Sequence, residues 1–400
     1  MPNPKTLPSG AAARALRNVL CLDDFETAAK AHLPHSLFAY ISGAAETNIS
    51  LRSNRTSFDD FRFVPRVMVN ISKRCTERTV LEQSFTAPFG IAPLGISALT
   101  AYRGDLVMAR AAASAGIPMV MSGSSLIRLE EVAAASPHTW FQAYLPGDVD
   151  EIAALIERVK NAGYKTMVIT VDTAVAANRE NNVRAGFFTP LRPSLRLAWD
   201  GLTHPRWLFG TFANTLLKHG MPHFENNYAR RGAPIISPKV ERDFSDRGRL
   251  NWEHFALIRQ QWPGKLVVKG ILNALDAQIA RDAGADGIIV SNHGGRQLDG
   301  SVSPLRVLPK VVAACPEIPV MIDGGIRRGS DVLKALALGA CFVFVGRPFG
   351  YAASVAGEAG VAHAIDLLSA EISRNIALLG INRLDELDPA IHLSDERLVS

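Results

Sequence analysis

The stretch LVVKGILNALDAQIARDAGADGIIVSNHGG, residues 266–295, reads as a strand, a helix and a second strand leading into a glycine-rich loop. Leu266–Lys269 and Gly287–Val290 are short apolar runs with no polar alternation, the pattern of parallel strands covered on both faces. Between them Asp276–Ala283 has helical spacing and opens on an acidic residue, which a helix N-terminus favours. Gly284 follows, where a left-handed cap residue is wanted. Strand, crossover helix and parallel strand together make the repeating unit of an α/β fold.

The unit recurs in both directions. Further strand-like runs are Phe89–Ala92, Pro118–Met121, Trp140–Tyr144, Thr166–Val171, Val320–Ile322 and Phe342–Val345. Asp148–Asn161 and Asp331–Leu338 repeat the helical pattern, and Gly116, Gly163 and Gly339 repeat the cap. Eight such units predict an α/β chain closed into a (β/α)₈ TIM barrel. The rival is a doubly wound open sheet, but no G-x-G-x-x-G follows the first strand. We expect a mobile terminus over 1–20 and a single barrel domain over 21–390. Its helical extension over 21–80 would cover the barrel bottom or reach over its mouth.

The spacing breaks once, because about ninety residues separate Val171 from Leu266 where one helix needs far fewer. The excess predicts a long insertion after strand four, spanning about 187–250. Within 187–240, Arg192, Arg196, Arg206, Lys218, Arg230, Arg231 and Lys239 stand against Asp200 and Glu225, a local charge of +5. Trp207, Leu208, Phe209, Phe212, Leu216 and Leu217 fall near one helical face. Such a segment either packs on its own barrel as a lid or lies on an anionic membrane surface.

The whole chain has a formal charge of +5, too small to make nucleic acid the expected partner, though it suits an anionic substrate or cofactor. Cys21, Cys75, Cys315 and Cys341 are widely separated, so neither a disulfide framework nor a metal site is predicted, and a reducing cytoplasm fits. The uncharged stretches Ser84–Tyr102 and Ala111–Ile127 are broken by Pro and Gly and do not read as membrane helices.

Barrel chemistry collects at the C-terminal strand ends. Those ends here are polar: Pro93, Gly95, Ser122, Gln142, Tyr144, Thr170, Asp172, Lys269, Ser291, His293, Asp323, Gly324, Gly325, Gly346 and Arg347. The loops DGGIRRG (323–329) and Gly346-Arg347 follow strands seven and eight, the usual phosphate position, with glycines that admit backbone amides and arginines that bind anions. In SNHGGRQLD (291–299), His293 directly follows a buried strand, and Arg296 lies three residues on. A histidine can take a proton near neutral pH, and an arginine beside it can clamp a carboxylate.

SNHGGRQLD, VKG (268–270), DGGIRRG and VGRP (345–348), in this order and spacing, resemble the FMN-dependent 2-hydroxy-acid dehydrogenase and oxidase family, and the resemblance runs from Leu22 to Leu387. It implies FMN as cofactor and His293 as base, with Asp172 as its partner. Arg296 and Arg179 would bind the substrate carboxylate, and Tyr40 and Tyr144 would hydrogen-bond the substrate. Lys269 would sit by the electron-accepting edge of the flavin. Ser122, Gln142, Thr170 and Ser291 would surround the ring, and Pro93, Leu94 and Gly95 would line one side. Asp323 would hold the ribityl chain, with Gly324, Gly325, Arg327, Gly346 and Arg347 about the phosphate.

Ser124, two residues after Ser122, leaves room for a substrate group larger than the hydrogen of glycolate. DTAVAANRE (172–180) and LTHPRW…HGMP (202–222) are most similar to the mandelate and bacterial L-lactate dehydrogenase branch. That branch implies oxidation of an L-2-hydroxy acid, the membrane quinone pool as acceptor, and peripheral contact with the inner face of the cell membrane. It also implies a homotetramer. An H₂O₂-producing oxidase of the same fold is the alternative, and an FMN barrel isomerase would not need the carboxylate clamp.

Overall fold

The computed structural model describes residues 10–188, 191–237 and 247–396. Eight strands, β1 Phe89–Ile91, β2 Val120–Ser122, β3 Trp140–Ala143, β4 Thr166–Thr170, β5 Lys265–Ile271, β6 Gly287–Val290, β7 Val320–Asp323 and β8 Phe342–Val345, run parallel in one sheet. From β2 to β8 each strand pairs with the next in sequence, and β8 pairs back on β1, leaving a gap between β1 and β2. A parallel bridge from Ile91 to Met119 closes the remaining gap, so the sheet is a (β/α)₈ barrel.

The crossover helices are α1 Gly104–Ala115, α2 Leu129–Ala135, α3 Val149–Asn161, α4 Trp252–Gln261, α5 Ala274–Asp282, α6 Pro304–Ala314, α7 Gly329–Ala337 and α8 Arg347–Leu379. Asp148 caps α3, its carboxylate accepting from the Asp150 and Glu151 amides. Gly116, Gly163, Gly284 and Gly339 all have positive φ, as their cap positions required.

Continuous apolar runs work in this barrel because alternate residues serve two cores. Val120, Trp140, Val168, Val267, Ile289, Met321, Phe342 and Phe344 pack against one another in the interior, while the intervening residues join the strand–helix layer. An antiparallel hairpin, Arg78–Val80 with Gln83–Phe85, closes the barrel bottom by adding Val80, Leu81 and Phe85 to the inner core. The 21–80 lead-in therefore ends under the barrel. Its helix His35–Ser42 lies at the opposite end and brings Tyr40 to the mouth.

Residues 1–9 lie outside the described residues; within 10–20, Ala11–Leu16 form a helix against α8, and Leu16 and Val19 are buried. Two leucine- and valine-sized apolar groups give that end a reason to dock. The insertion does not present one apolar face. A π-helical turn at Leu208–Ala213 interrupts the helical run from Pro205 to His219 and shifts its register. Trp207 therefore turns inward, donating from Nε1 to the Leu99 carbonyl at 2.7 Å and stacking on Phe212. Phe209 and Leu217 turn outward. Lys239 lies outside the described residues.

Candidate active site

His293 follows β6 and adopts φ 58°, a left-handed conformation costly for a non-glycine residue and characteristic of constrained sites. Several contacts hold it there. Its amide donates to Ser291 Oγ at 3.0 Å, and Asn292 and Asn54 exchange two buried side-chain hydrogen bonds of 2.7 and 2.8 Å. Gly295, at φ 76°, comes so close to the Ile49–Thr56 helix that a Cβ would lie 2.6 Å from the Leu51 amide nitrogen. Asp299 ends the motif by accepting from the Thr47 and Ser50 amides and the Thr47 hydroxyl. Burial alone would raise its carboxyl, but those donors hold it at about 2.

The imidazole faces the barrel mouth. Its Nδ1 is 2.9 Å from Asp172 Oδ1, and its Nε2 is 3.4 Å from the Tyr144 hydroxyl. An ionised Asp172 can only accept, so Nδ1 carries the hydrogen and Nε2 keeps its lone pair. Burial pushes the His293 pKa below the ordinary histidine value; Asp172 opposes this, and Lys269 and Arg179 reinforce it. Burial pushes Asp172 up, yet His293 and Lys269 together hold it below the usual carboxylate range. The pair thus rests as neutral imidazole and carboxylate.

Lys269, near the end of β5, reaches Asp323 Oδ2 at 3.0 Å and Ser291 Oγ at 2.8 Å. Burial alone would pull the ammonium down, but Asp323 and Asp172 outweigh it and keep the lysine charged. Arg296 donates to the Tyr40 and Gly43 carbonyls at 2.7 and 2.8 Å, with its guanidinium carbon 4.9 Å over the Tyr40 ring. Arg179 donates to the Arg296 carbonyl and to Gln297. Arg347 donates from Nε and Nη2 to the Ile41, Gly43 and Gly294 carbonyls. Burial, then the neighbouring Arg296 and Arg327, push it to about 9. For a guanidinium that marks burial beside other cations rather than a lost proton.

A cleft opens at this end of the barrel. Tyr40, Pro93, Leu94, Gly95, Tyr144, Thr170, Arg179, Lys269, His293, Arg296, Asp323, Gly324, Gly325, Arg327, Gly346 and Arg347 all line it. Asp172, Ser122, Gln142 and Ser291 stand one layer behind. Ser122 and Gln142 are hydrogen-bonded to each other, and Ser291 supports Lys269 and His293. The start of α7 is not an open anion site, since Asp331 takes the Arg327 and Arg328 amides and Glu371 takes that of Gly329. Arg327 pairs with Asp23 on the lead-in helix Leu22–His32. Sequence reasoning missed Arg247, whose guanidinium carbon lies 4.7 Å over the Tyr144 ring. It sits in the insertion, in no motif and far from any strand end, so only the fold places it.

The polar atoms at the mouth test the fit of a cofactor. Gln142 Nε2, Thr170 Oγ1 and Asp323 Oδ1 are buried without a hydrogen-bond partner among the described residues. Orphaned buried groups of this kind are costly unless a ligand satisfies them. One donor, one hydroxyl and one acceptor beside a charged lysine match the mixed polar edge of an isoalloxazine and its polyol chain. No cluster of histidine, cysteine or acidic side chains among the described residues has metal-site geometry.

A closed β/α barrel with a His–Asp pair, a buried lysine and an arginine-rich mouth defines a cofactor-dependent redox barrel. The sequence profile of the FMN-dependent dehydrogenases matches residues 29–394, and the chain belongs to that family: it is an FMN-dependent oxidoreductase. It is 37% identical over 375 residues to (S)-mandelate dehydrogenase of Pseudomonas putida, covering 93% of each chain. It is 38% identical over 388 residues to an L-lactate oxidase of Nostoc sp., covering 95% of this chain and all of that one. Its fold is similar to a crystal structure of the monotopic membrane protein (S)-mandelate dehydrogenase, with TM-score 0.86, 36% identity, and 95% and 100% of the two chains covered.

Proposed function

We propose that the protein oxidises an L-2-hydroxy acid of the L-lactate or L-mandelate type to the 2-oxo acid and passes the electrons to quinone or another acceptor that is not oxygen. The observation that carries this reading is the His293 Nε2 lone pair, oriented by Asp172 and facing the cleft shared by Tyr144, Arg179 and Arg296. Arg296 and Arg179 hold the substrate carboxylate, and the Tyr40 and Tyr144 hydroxyls orient the substrate. Burial raises the Tyr144 pKa, so its hydroxyl stays protonated and donates. His293 Nε2 takes the proton released by the substrate, and Asp172 stabilises the resulting imidazolium through Nδ1–H.

The substrate O–H and C2–H bonds break, the carbonyl forms, and bound FMN supplies the two-electron sink. Gln142, Thr170, Lys269 and Asp323 would hold that cofactor, with Gly324, Gly325, Arg327, Gly346 and Arg347 around its phosphate. Pro93, Leu94 and Gly95 would form one wall. A Cβ on Gly95 would point between the Tyr40 hydroxyl and Ser124, 3.2 and 3.4 Å away, so the glycine keeps that side of the cleft open.

The Nostoc relative favours a second reading, an oxidase that returns electrons to O₂. Anaerobic mixing with L-lactate or L-mandelate should bleach the yellow protein. Air-saturated buffer should then reoxidise it more slowly than turnover with a quinone analogue. Reoxidation faster than turnover would make it an oxidase, and no bleaching by any 2-hydroxy acid would overturn the substrate class.

A further inference from the structure

We propose that the electron acceptor binds in a cavity of its own, outside the barrel and beside its mouth, and that this cavity takes the ring of a quinone. This rests on the acceptor reading above and gives that acceptor a site. The cavity lies between the insertion and the loops after β1 and β2, where Ala98, Leu126, Ile127, Met221, Pro222 and Ala229 supply apolar surface.

The short helix Ser97–Thr100 is the wall between this cavity and the cleft. Ser97 and Thr100 line the cleft, whereas Ala98, between them, lines the cavity. The loop after β2 divides in the same way, with Ser124 on the cleft and Leu126 and Ile127 on the cavity. The wall is pinned from two elements: Ser97 Oγ donates to the buried Asp105 at 2.6 Å, and Trp207 of the insertion donates to the Leu99 carbonyl at 2.7 Å. A helical turn is about 10 Å across with its side chains, so electrons can cross this wall where a substrate cannot pass.

The lining suits a neutral ring better than an ion. Arg103, Arg158 and Arg231 line the cavity, but each is held by a glutamate: Arg103 by Glu131, Arg158 by Glu130 at 2.8 and 3.0 Å, and Arg231 by Glu225 at 2.8 Å. Cations matched by carboxylates exert little pull on a further anion. A guanidinium bonded through one nitrogen still keeps N–H groups for a carbonyl oxygen. His219 adds a polar group at the exposed rim, its Nε2 3.0 Å from the Tyr102 hydroxyl. Apolar walls with a few polar groups are the make-up of a pocket for an uncharged organic ring. Thr215 and His219 come from the helix Asn214–His219, on which Leu217 is 87% exposed. The cavity therefore opens beside apolar surface along which an isoprenoid tail can lie.

Two electrons leave the reduced cofactor across the wall, and two protons from solvent join them at the quinone oxygens to give the quinol. They balance the two electrons and two hydrogens that the 2-hydroxy acid loses in becoming the 2-oxo acid.

The experiment follows anaerobic reoxidation of the holoenzyme by a short-chain ubiquinone. Ala229→Trp and Met221→Trp fill the cavity from half-buried positions away from the cleft. Each should slow reoxidation by the quinone about tenfold or more through steric exclusion. Bleaching by L-lactate or L-mandelate, and reoxidation by ferricyanide, should stay at wild-type rates. Phenylacetate, an unreactive carboxylate that fills the cleft, should leave quinone reoxidation of the photoreduced holoenzyme undiminished. Equilibrium dialysis gives a readout without turnover: the oxidised holoenzyme should bind the quinone in the presence of phenylacetate, and both variants should lose that binding. The proposal is overturned if the quinone fails to reoxidise the wild type or if both variants react at the wild-type rate. Competition between phenylacetate and the quinone overturns it too, because the acceptor would then use the mouth. If no 2-hydroxy acid bleaches the flavin, the substrate reading has failed, while photoreduction and dialysis still decide the cavity.

Discussion

As the proposed base, His293 rests as a neutral imidazole, and its environment sets the pH at which it would stop accepting a proton. The active form is the neutral imidazole, and burial holds its pKa below the ordinary value near 6.5. Activity should therefore persist as pH falls through 6.5 and drop only on passing the lower pKa, so kcat/KM plotted against pH should show an acid limb below that value. Asp172 is the group that raises the His293 pKa. Replacing it with Asn should shift the limb further toward acid while lowering the plateau by roughly 10²- to 10⁴-fold, because the imidazolium loses its counter-charge. A limb that moves upward in Asp172→Asn would rule out the pairing as described. His293→Gln should retain the yellow flavin and lose anaerobic bleaching by about 10³-fold or more. The orphaned Gln142 and Thr170 atoms predict a separate effect, since Thr170→Val should weaken flavin retention on dilution without moving the acid limb.

At the scale of elements, β5 carries a register irregularity between Lys269 and Ile271, and Gly270 sits in it at φ 110°. A Cβ there would lie 2.8 Å from the Asp172 Cβ and Cγ. Gly270→Ala should therefore push Asp172 away from His293 as well as strain the backbone by about 1–3 kcal/mol. A lower Tm together with an acid limb displaced as in Asp172→Asn would show both effects, and a normal pH profile would show that the bulge serves the fold alone. The strand ends were legible in sequence because a buried parallel strand is a bare apolar run, and whatever follows it must face the mouth. Thus His293, Lys269 and Asp323 could be read as mouth residues from position alone. The insertion was legible only as a length and a charge. Its π-helical turn defeats any reading at 3.6 residues per turn, which is why Trp207 and Phe209 were assigned to one face. Arg247 escaped for a related reason: nothing local marks a cation brought to Tyr144 by tertiary packing. The bottom hairpin was missed because its three-residue strands are too short to show alternation.

For the whole molecule, the decisive feature is that the insertion faces two ways. Asp200 accepts from the His35 and Ser36 amides at 2.8 and 3.0 Å, tying this segment to the helix that presents Tyr40, while Trp207 anchors it to the barrel. The same segment leaves Leu195, Trp199, Leu202, Phe209 and Leu217 exposed, with Trp199 and Phe209 each 69% accessible. Arg192, Arg196, Arg206 and Lys218 are exposed on the same segment. No helix among the described residues is long and apolar enough to cross a membrane. Exposed aromatics among cations suit a surface that rests on an anionic bilayer, where each nearby Lys or Arg contributes about 1 kcal/mol and buried apolar area adds more. We propose that this face docks on the membrane and brings the mouth of the barrel toward a quinone acceptor. The double variant Trp199→Glu, Phe209→Glu touches neither cleft nor cofactor residues. It should lose at least tenfold in co-sedimentation with phosphatidylglycerol vesicles while retaining anaerobic bleaching. Wild-type binding should weaken with salt as the cationic term is screened. If the variant binds vesicles as well as the wild type, the membrane assignment of this face is wrong. Sedimentation velocity would then show whether the same substitutions dissociate a homotetramer, as they must if the exposed apolar side chains are buried between copies instead.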